Sequence, residues 1–91
     1  MPLAWTRLAL SDLVRLHGFL SVVDPESAAR TVRQLVAAPT VLVANPRLGE
    51  RLEEFDPREV RRLLVGRYEV RYELAGSTIH VLRLWHTREK R

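Results

Sequence analysis

Ninety-one residues, 46% of them hydrophobic, are enough for one small domain with a modest core, and the absence of cysteine excludes disulfides and thiolate metal sites. No apolar run nears the roughly 18 residues of a membrane span, and Met1-Pro-Leu-Ala-Trp-Thr-Arg lacks a signal peptide's apolar region, so the cytoplasm is the expected location. The formal charge is +4, and residues 58–91 alone carry +5, which places the positive charge at the C-terminal end.

Leu3 to Thr6 is a short apolar run that reads as a first strand. Thr6 or Ser11 is placed to cap the helix that follows. Leu10, Leu13, Leu16, Leu20 and Val23 recur at helical spacing, and Val14, Phe19 and Val22 widen the stripe. That width predicts a largely buried helix. Gly18 within it weakens the helix by about 1 kcal/mol relative to Ala. Asp24-Pro25-Glu26 starts a second helix: Asp24 caps it, and Pro25 takes the first helical position. The residue before Pro avoids the helical region, so the first helix ends by Val23. Ala28, Ala29, Val32, Leu35 and Val36 form the second helix's apolar face. Leu42 and Val43 keep that phase past Pro39, which predicts a kink near Ala38 and not a separate element. The two helices make an antiparallel hairpin. Asn45 to Gly49 breaks the helix, and Glu50 to Asp56 reads as an acidic, irregular connection.

Three short strands follow. Val60 to Val65 is the first. Gly66-Arg67 suits a two-residue hairpin turn of the II′ kind. Arg67 to Leu74 alternates strictly, with Tyr68, Val70, Tyr72 and Leu74 on one face and Arg67, Glu69, Arg71 and Glu73 on the other. Ala75-Gly76-Ser77 turns the chain again. Thr78 to Trp85 is apolar at both parities, which predicts the most buried strand. The order is β-α-α-β-β-β, an α+β fold with a helical hairpin packed on one face of a small antiparallel sheet. The opposite face is expected to stay available.

Candidate contacts come from the basic third. Fourteen of the fifteen cations in the chain are Arg. A basic sheet suits phosphates or an acidic protein segment, and a solvated arginine-rich surface is the plain alternative. Arg61, Arg62, Arg67, Arg71, Arg83 and Arg88 are the candidates, with Lys90 and Arg91 in the tail. Arg67 and Arg71 are flanked by Glu69 and Glu73, so part of their charge is used in ladder pairs. Arg61 and Arg83 interrupt apolar alternations, so each needs a carboxylate or carbonyl partner near buried surface. Tyr68 and Tyr72 alternate in phase with the core. Trp85 either caps the core near Trp5 or anchors an interface. His86 follows the last strand, where an imidazole can bond a backbone carbonyl and close the sheet. His80 and His86 lie about 20 Å apart along an extended strand, so no metal site is visible, and no cofactor is implied.

Leu63-x-Val65-Gly66-x-Tyr68-x-Val70-x-Tyr72, followed by Ile79-x-Val81-Leu82-x-Leu84-x-His86-x-Arg88, resembles the C-terminal half of RelE/ParE-superfamily toxins. Trp5-Thr6, Asp12-Leu13, Pro25-x-x-Ala28-Ala29 and Asn45-Pro46-x-x-Gly49 match earlier landmarks of that family in the right order. The resemblance covers nearly the whole chain. It implies that the first strand joins the three-stranded meander. It also implies the toxin half of a bacterial toxin–antitoxin pair, neutralised by a cognate antitoxin that Arg61, Arg62, Arg83, Trp85, His86, Arg88, Lys90 and Arg91 would help to bind. Superfamily toxins fall into two classes. ParE-like members bind and poison DNA gyrase, and RelE-like members cut mRNA on the ribosome. In a nuclease, Arg67, Arg71, His86 and Arg88 would be the catalytic candidates. The family commonly places an Arg where this chain has Glu69, and in nucleases that cation serves the scissile phosphate. Glu69 therefore implies the ParE-like mode, with the mRNA interferase as the alternative. A third reading, a small nucleic-acid-binding module, rests on the basic sheet alone and lacks stacking aromatics on its polar face.

Overall fold

The computed structural model describes residues 1–89 and contains two helices packed on a five-stranded mixed sheet. The first strand, β1, spans Leu3–Trp5. Helix α1 spans Arg7–Ser21, and α2 spans Pro25–Ala37. A 3₁₀ segment covers Ala38–Val43. Strand β2 is only Glu50–Arg51, and a 3₁₀ turn covers Glu53–Phe55. Strands β3 (Glu59–Val65), β4 (Tyr68–Ala75) and β5 (Thr78–His86) complete the sheet in the order β1-β5-β4-β3-β2.

Local signals place these elements well. Thr6 is the cap of α1: its hydroxyl oxygen accepts the Ala9 N–H at 3.1 Å. Asp24 caps α2 through the Glu26 N–H, with Pro25 in the first turn. Gly66 and Gly76 both sit at φ +59°, the left-handed region that their two-residue turns require.

Three expectations need correction. The strand β1 joins the sheet parallel to β5, with Leu3, Ala4 and Trp5 opposite Ile79, His80 and Val81, so the sheet is mixed. The connection from Glu50 to Asp56 also contains an ordered strand, since Glu50 and Arg51 pair antiparallel with Arg62 and Arg61. Beyond Pro39 the chain adopts a 3₁₀ segment of its own, not a kinked continuation. Proline at 39 has no N–H for the i−4 bond, and the tighter spiral aligns positions three apart. Pro39 and Leu42 are the residues it buries.

The core lies between the helices and the inner face of the sheet. Ala9, Leu16, Leu35, Val70, Val81 and Leu84 form one cluster, with Trp5, Leu13 and Tyr68 partly buried against it. Leu42, Tyr72 and Ile79 form a second. The predicted burial of α1 was too broad. Only Ala9, Asp12 and Leu16 are buried on it, while Val14, Phe19, Val22 and Val23 are strongly exposed. On α2, Leu35 is fully buried and Val36 is exposed.

Tyr72 does more than fill space. Its hydroxyl donates to the Pro46 carbonyl at 2.8 Å and accepts the Gly49 N–H at 2.9 Å. A Cβ on Gly49 would stand 2.5 Å from the Arg62 carbonyl oxygen, so only glycine lets the loop lie that close. Tyr72→Phe keeps the packing but strands a buried N–H and a carbonyl. It is expected to lower stability by about 1–3 kcal/mol, measured by urea denaturation.

Candidate functional site

Two surfaces collect the chemistry, one on each side of the sheet. On the outer face, away from the helices, arginines from three adjacent strands stand in line. Arg62 is opposite Arg71, and Arg71 is opposite Arg83. Alternation along β5 alone does not predict that row. The register shifts between Arg71 and Tyr72, whose partners are Arg83 and Val81, so Leu82 is an extra residue. The bulge turns Arg83 and Trp85 to the outer face while Ile79, Val81 and Leu84 stay in the core.

Like charges directly opposite each other are destabilising, and each arginine here has an acidic partner. Arg62 donates to Glu50 at 2.7 Å, Arg71 to Glu69 at 3.0 Å, and Arg83 Nε to Asp12 Oδ2 at 2.8 Å. Glu69 also lies 3.7 Å from Arg62, and only 1% of it is exposed. Aromatic rings complete the arrangement. The Arg71 guanidinium carbon lies 4.7 Å from the Trp85 ring centroid and 5.3 Å from that of Phe55. Arg83 lies 5.6 Å from Trp85. Trp85 is thus buried, but beneath arginines on the outer face and not beside Trp5. The outer face is less available than alternation suggested, because Val60, Glu69 and Trp85 are all buried there.

Asp12 is the residue that sequence reasoning missed as an anchor. It is 4% exposed. Its carboxylate accepts two bonds from Arg83, one from the Leu84 N–H at 2.9 Å and one from Arg15 at 3.3 Å. Burial pushes its pKa up, but the Arg83 and Leu84 hydrogen bonds and the Arg83 charge outweigh it and hold the carboxyl below its ordinary value. The signal was present in the sequence, as a single acid in phase with Ala9 and Leu16.

The second surface is a groove of about 460 Å³ on the helix side of the sheet. Leu16, Phe19, Leu20 and Tyr68 give it apolar walls, and Arg15, His86, Arg88 and Glu89 give it a polar rim. His86 packs edge-on against Tyr68 with centroids 5.1 Å apart, and its Nδ1 accepts the Arg88 N–H at 3.1 Å. Burial, and after it the Glu89 charge, push the Tyr68 phenol up, so it stays protonated and cannot serve as a base near neutral pH.

The remaining candidates scatter. Arg61 is engaged inside the chain, by Glu59 at 2.9 Å and the Gly49 carbonyl at 2.8 Å, which meets the expectation of a carboxylate or carbonyl partner. Arg67 occupies the exposed β3–β4 turn. Lys90 and Arg91 lie outside the described residues. The four nuclease candidates are therefore not all gathered: the Arg67 carbonyl accepts the Thr87 N–H at 2.8 Å, which sets Arg67 beside His86 and Arg88 at one end of the sheet, whereas Arg71 belongs to the outer face. Among the described residues, no group of His, Asp or Glu could hold a metal ion. No helix there is long and apolar enough to cross a membrane.

A family model described as "ParE toxin of type II toxin-antitoxin system, parDE" matches residues 3–91. The chain belongs to that family. It is similar to "Toxin RelE1" of Caulobacter vibrioides, 38% identical over 85 residues, with 91% of this chain and 89% of the relative covered. It is also similar to "Toxin RelE2" of the same organism, 32% identical over 82 residues, with 90% of each chain covered. Among solved structures, "Chromosomal ParDE TA system from P. aeruginosa" matches with a TM-score of 0.81 and 27% identity, covering 94% of this chain and 95% of that one. As a type II toxin it has a cognate antitoxin as partner. On this toxin the surfaces offer different chemistry. The arginine row is internally neutralised, and the groove presents apolar walls open to a partner.

Proposed function

We propose that this toxin acts by binding its target and not by cutting it, with DNA gyrase as the target, in the cytoplasm. Its antitoxin neutralises it by covering the groove beside α1. The observation that carries this reading is the division of the nuclease candidates between two faces of the sheet. Arg71 pairs with Glu69 on the outer face, and His86 packs edge-on against Tyr68 on the inner one. Cleavage by a ribose 2′-OH needs a proton acceptor at that hydroxyl and a cation on the adjacent phosphate, both in one site. Glu69 adds to the case, because its carboxylate already occupies the arginines that a phosphate would need.

The test separates the two toxin classes. Purified toxin is expected to inhibit gyrase supercoiling at stoichiometric amounts and to leave ribosome-bound mRNA intact. Ribosome-dependent cleavage that is lost on changing Arg71 or His86 would reverse the reading. That second reading, an mRNA interferase, is favoured by the row of three in-register arginines and by the names of the two Caulobacter relatives.

A further inference from the structure

On the reading that an antitoxin covers the groove, we propose that Glu89 is a built-in stand-in for an antitoxin carboxylate. The partner is an amphipathic segment whose apolar side fills the groove and whose acidic side chain displaces Glu89.

The inference starts from the edge of the sheet. Strand β1 pairs with only residues 79–81 of β5, so among the described residues no strand neighbours the rest of that edge. An uncovered edge leaves backbone donors and acceptors open. Side chains meet them here. The Thr6 hydroxyl donates to the Leu82 carbonyl at 2.8 Å. Asp12 accepts the Leu84 N–H at 2.9 Å, and Arg15 donates to the Leu84 carbonyl at 3.1 Å. Glu89 accepts the His86 N–H at 2.8 Å. The first three side chains come from α1 and its cap, which the core holds in place. The fourth comes from the chain just beyond the strand, on the groove's rim.

Glu89 also binds Arg15 through its other oxygen. Its carboxylate therefore bridges a guanidinium and a strand N–H at the mouth of an apolar groove. Both donors are ones that an incoming carboxylate would bind in the same way. A rim with Arg15 and Arg88 beside apolar walls selects an acidic, amphipathic occupant over a basic one. The apolar surface continues from the groove wall at Phe19, 77% exposed, to Val22 and Val23 just past α1, each 86% exposed. A segment longer than the groove would bury these too.

Competition follows from this geometry. While Glu89 holds the two donors, the toxin is not fully competent for the partner, and the apparent affinity falls by the competent fraction. The Glu89 contact thus sets antitoxin affinity and selects for an acidic residue at one position of the antitoxin.

The test uses full-length toxin and the neighbouring-gene product that co-purifies with it, with affinity measured by calorimetry. Glu89→Gln is expected to bind that antitoxin about three- to tenfold tighter, and Glu89→Ala to do the same. Arg15→Gln is expected to bind about tenfold weaker. Amide exchange gives a second readout: the His86 N–H should exchange faster in free Glu89→Ala toxin, which lacks the acceptor, and antitoxin should restore its protection. Unchanged or weaker binding by both Glu89 variants, with melting temperatures preserved, would overturn the stand-in. Failure of the wild-type toxin to bind any neighbouring product would instead overturn the antitoxin reading beneath it.

Discussion

Replacing Asp12 with Ala is expected to lower the stability of this toxin by about 3 kcal/mol, a large loss for a chain of this size. The Asp12 carboxylate joins α1 to the far half of β5. It accepts both Arg83 donors, at 2.8 and 3.1 Å, and the Leu84 N–H at 2.9 Å. Deletion leaves the Leu84 N–H without an acceptor in a buried place, which by itself costs about 1–3 kcal/mol. It also leaves Arg83, opposite Arg71 across the strands, without the Asp12 carboxylate that accepts both its donors. Arg83 is partly exposed and can turn to water, which keeps the loss at the lower end of the range for broken buried pairs. The pH dependence has a definite sign. The folded pKa of Asp12 is depressed, so its contribution is fully present above the ordinary carboxylate range and is lost as pH falls through the folded value. The gap between wild type and Asp12→Ala in chemical denaturation should therefore be widest near pH 7 and should close in acid. A gap under about 1 kcal/mol at pH 7 would show that water replaces the carboxylate.

Much of this fold can be read from local rules, and the failures have specific causes. Strands β3, β4 and β5 follow from alternation and from Gly66 and Gly76, because a pleated strand and a tight turn each leave a short-range signature. The helix starts follow from Thr6, Asp24 and Pro25 for the same reason. The extent of burial on α1 does not follow. Its apolar stripe is wider than the face that the sheet and α2 can cover, so Phe19, Val22 and Val23 are left outside. Hydrophobic spacing reports what could be buried, and the number of neighbouring layers decides what is. The arginine row was hidden for another reason. Arg62 and Arg71 share a face by parity, but the bulge at Leu82 brings Arg83 into line, and a bulge leaves no reliable mark in a strand that is apolar at both parities. Glu69 was legible as an anomaly. Its partners were not, because Arg62 reaches it from the neighbouring strand.

Those outside residues sharpen the last expectation, which contrasts two neighbours on α2. Leu35→Ala is expected to destabilise the toxin by about 2–5 kcal/mol, whereas Val36→Ala should change stability by less than about 1 kcal/mol. The two residues are adjacent in sequence, and both belong to the apolar face that helical spacing predicts. Leu35 is fully buried in the cluster of Ala9, Leu16, Val70, Val81 and Leu84, where α1, α2 and the sheet meet. Truncating it removes three buried carbon atoms and leaves a cavity that two helices and two strands would have to close. The sheet side cannot collapse easily, because Val70 and Val81 are fixed by strand pairing through β4 and β5. That rigidity favours the upper half of the range. Val36 is nearly half exposed, so its truncation opens no sealed cavity. Urea unfolding of both variants at constant denaturant slope checks the contrast. Equal losses would mean that α2 packs in a different phase, with Val36 taking part of the core that Leu35 fills here.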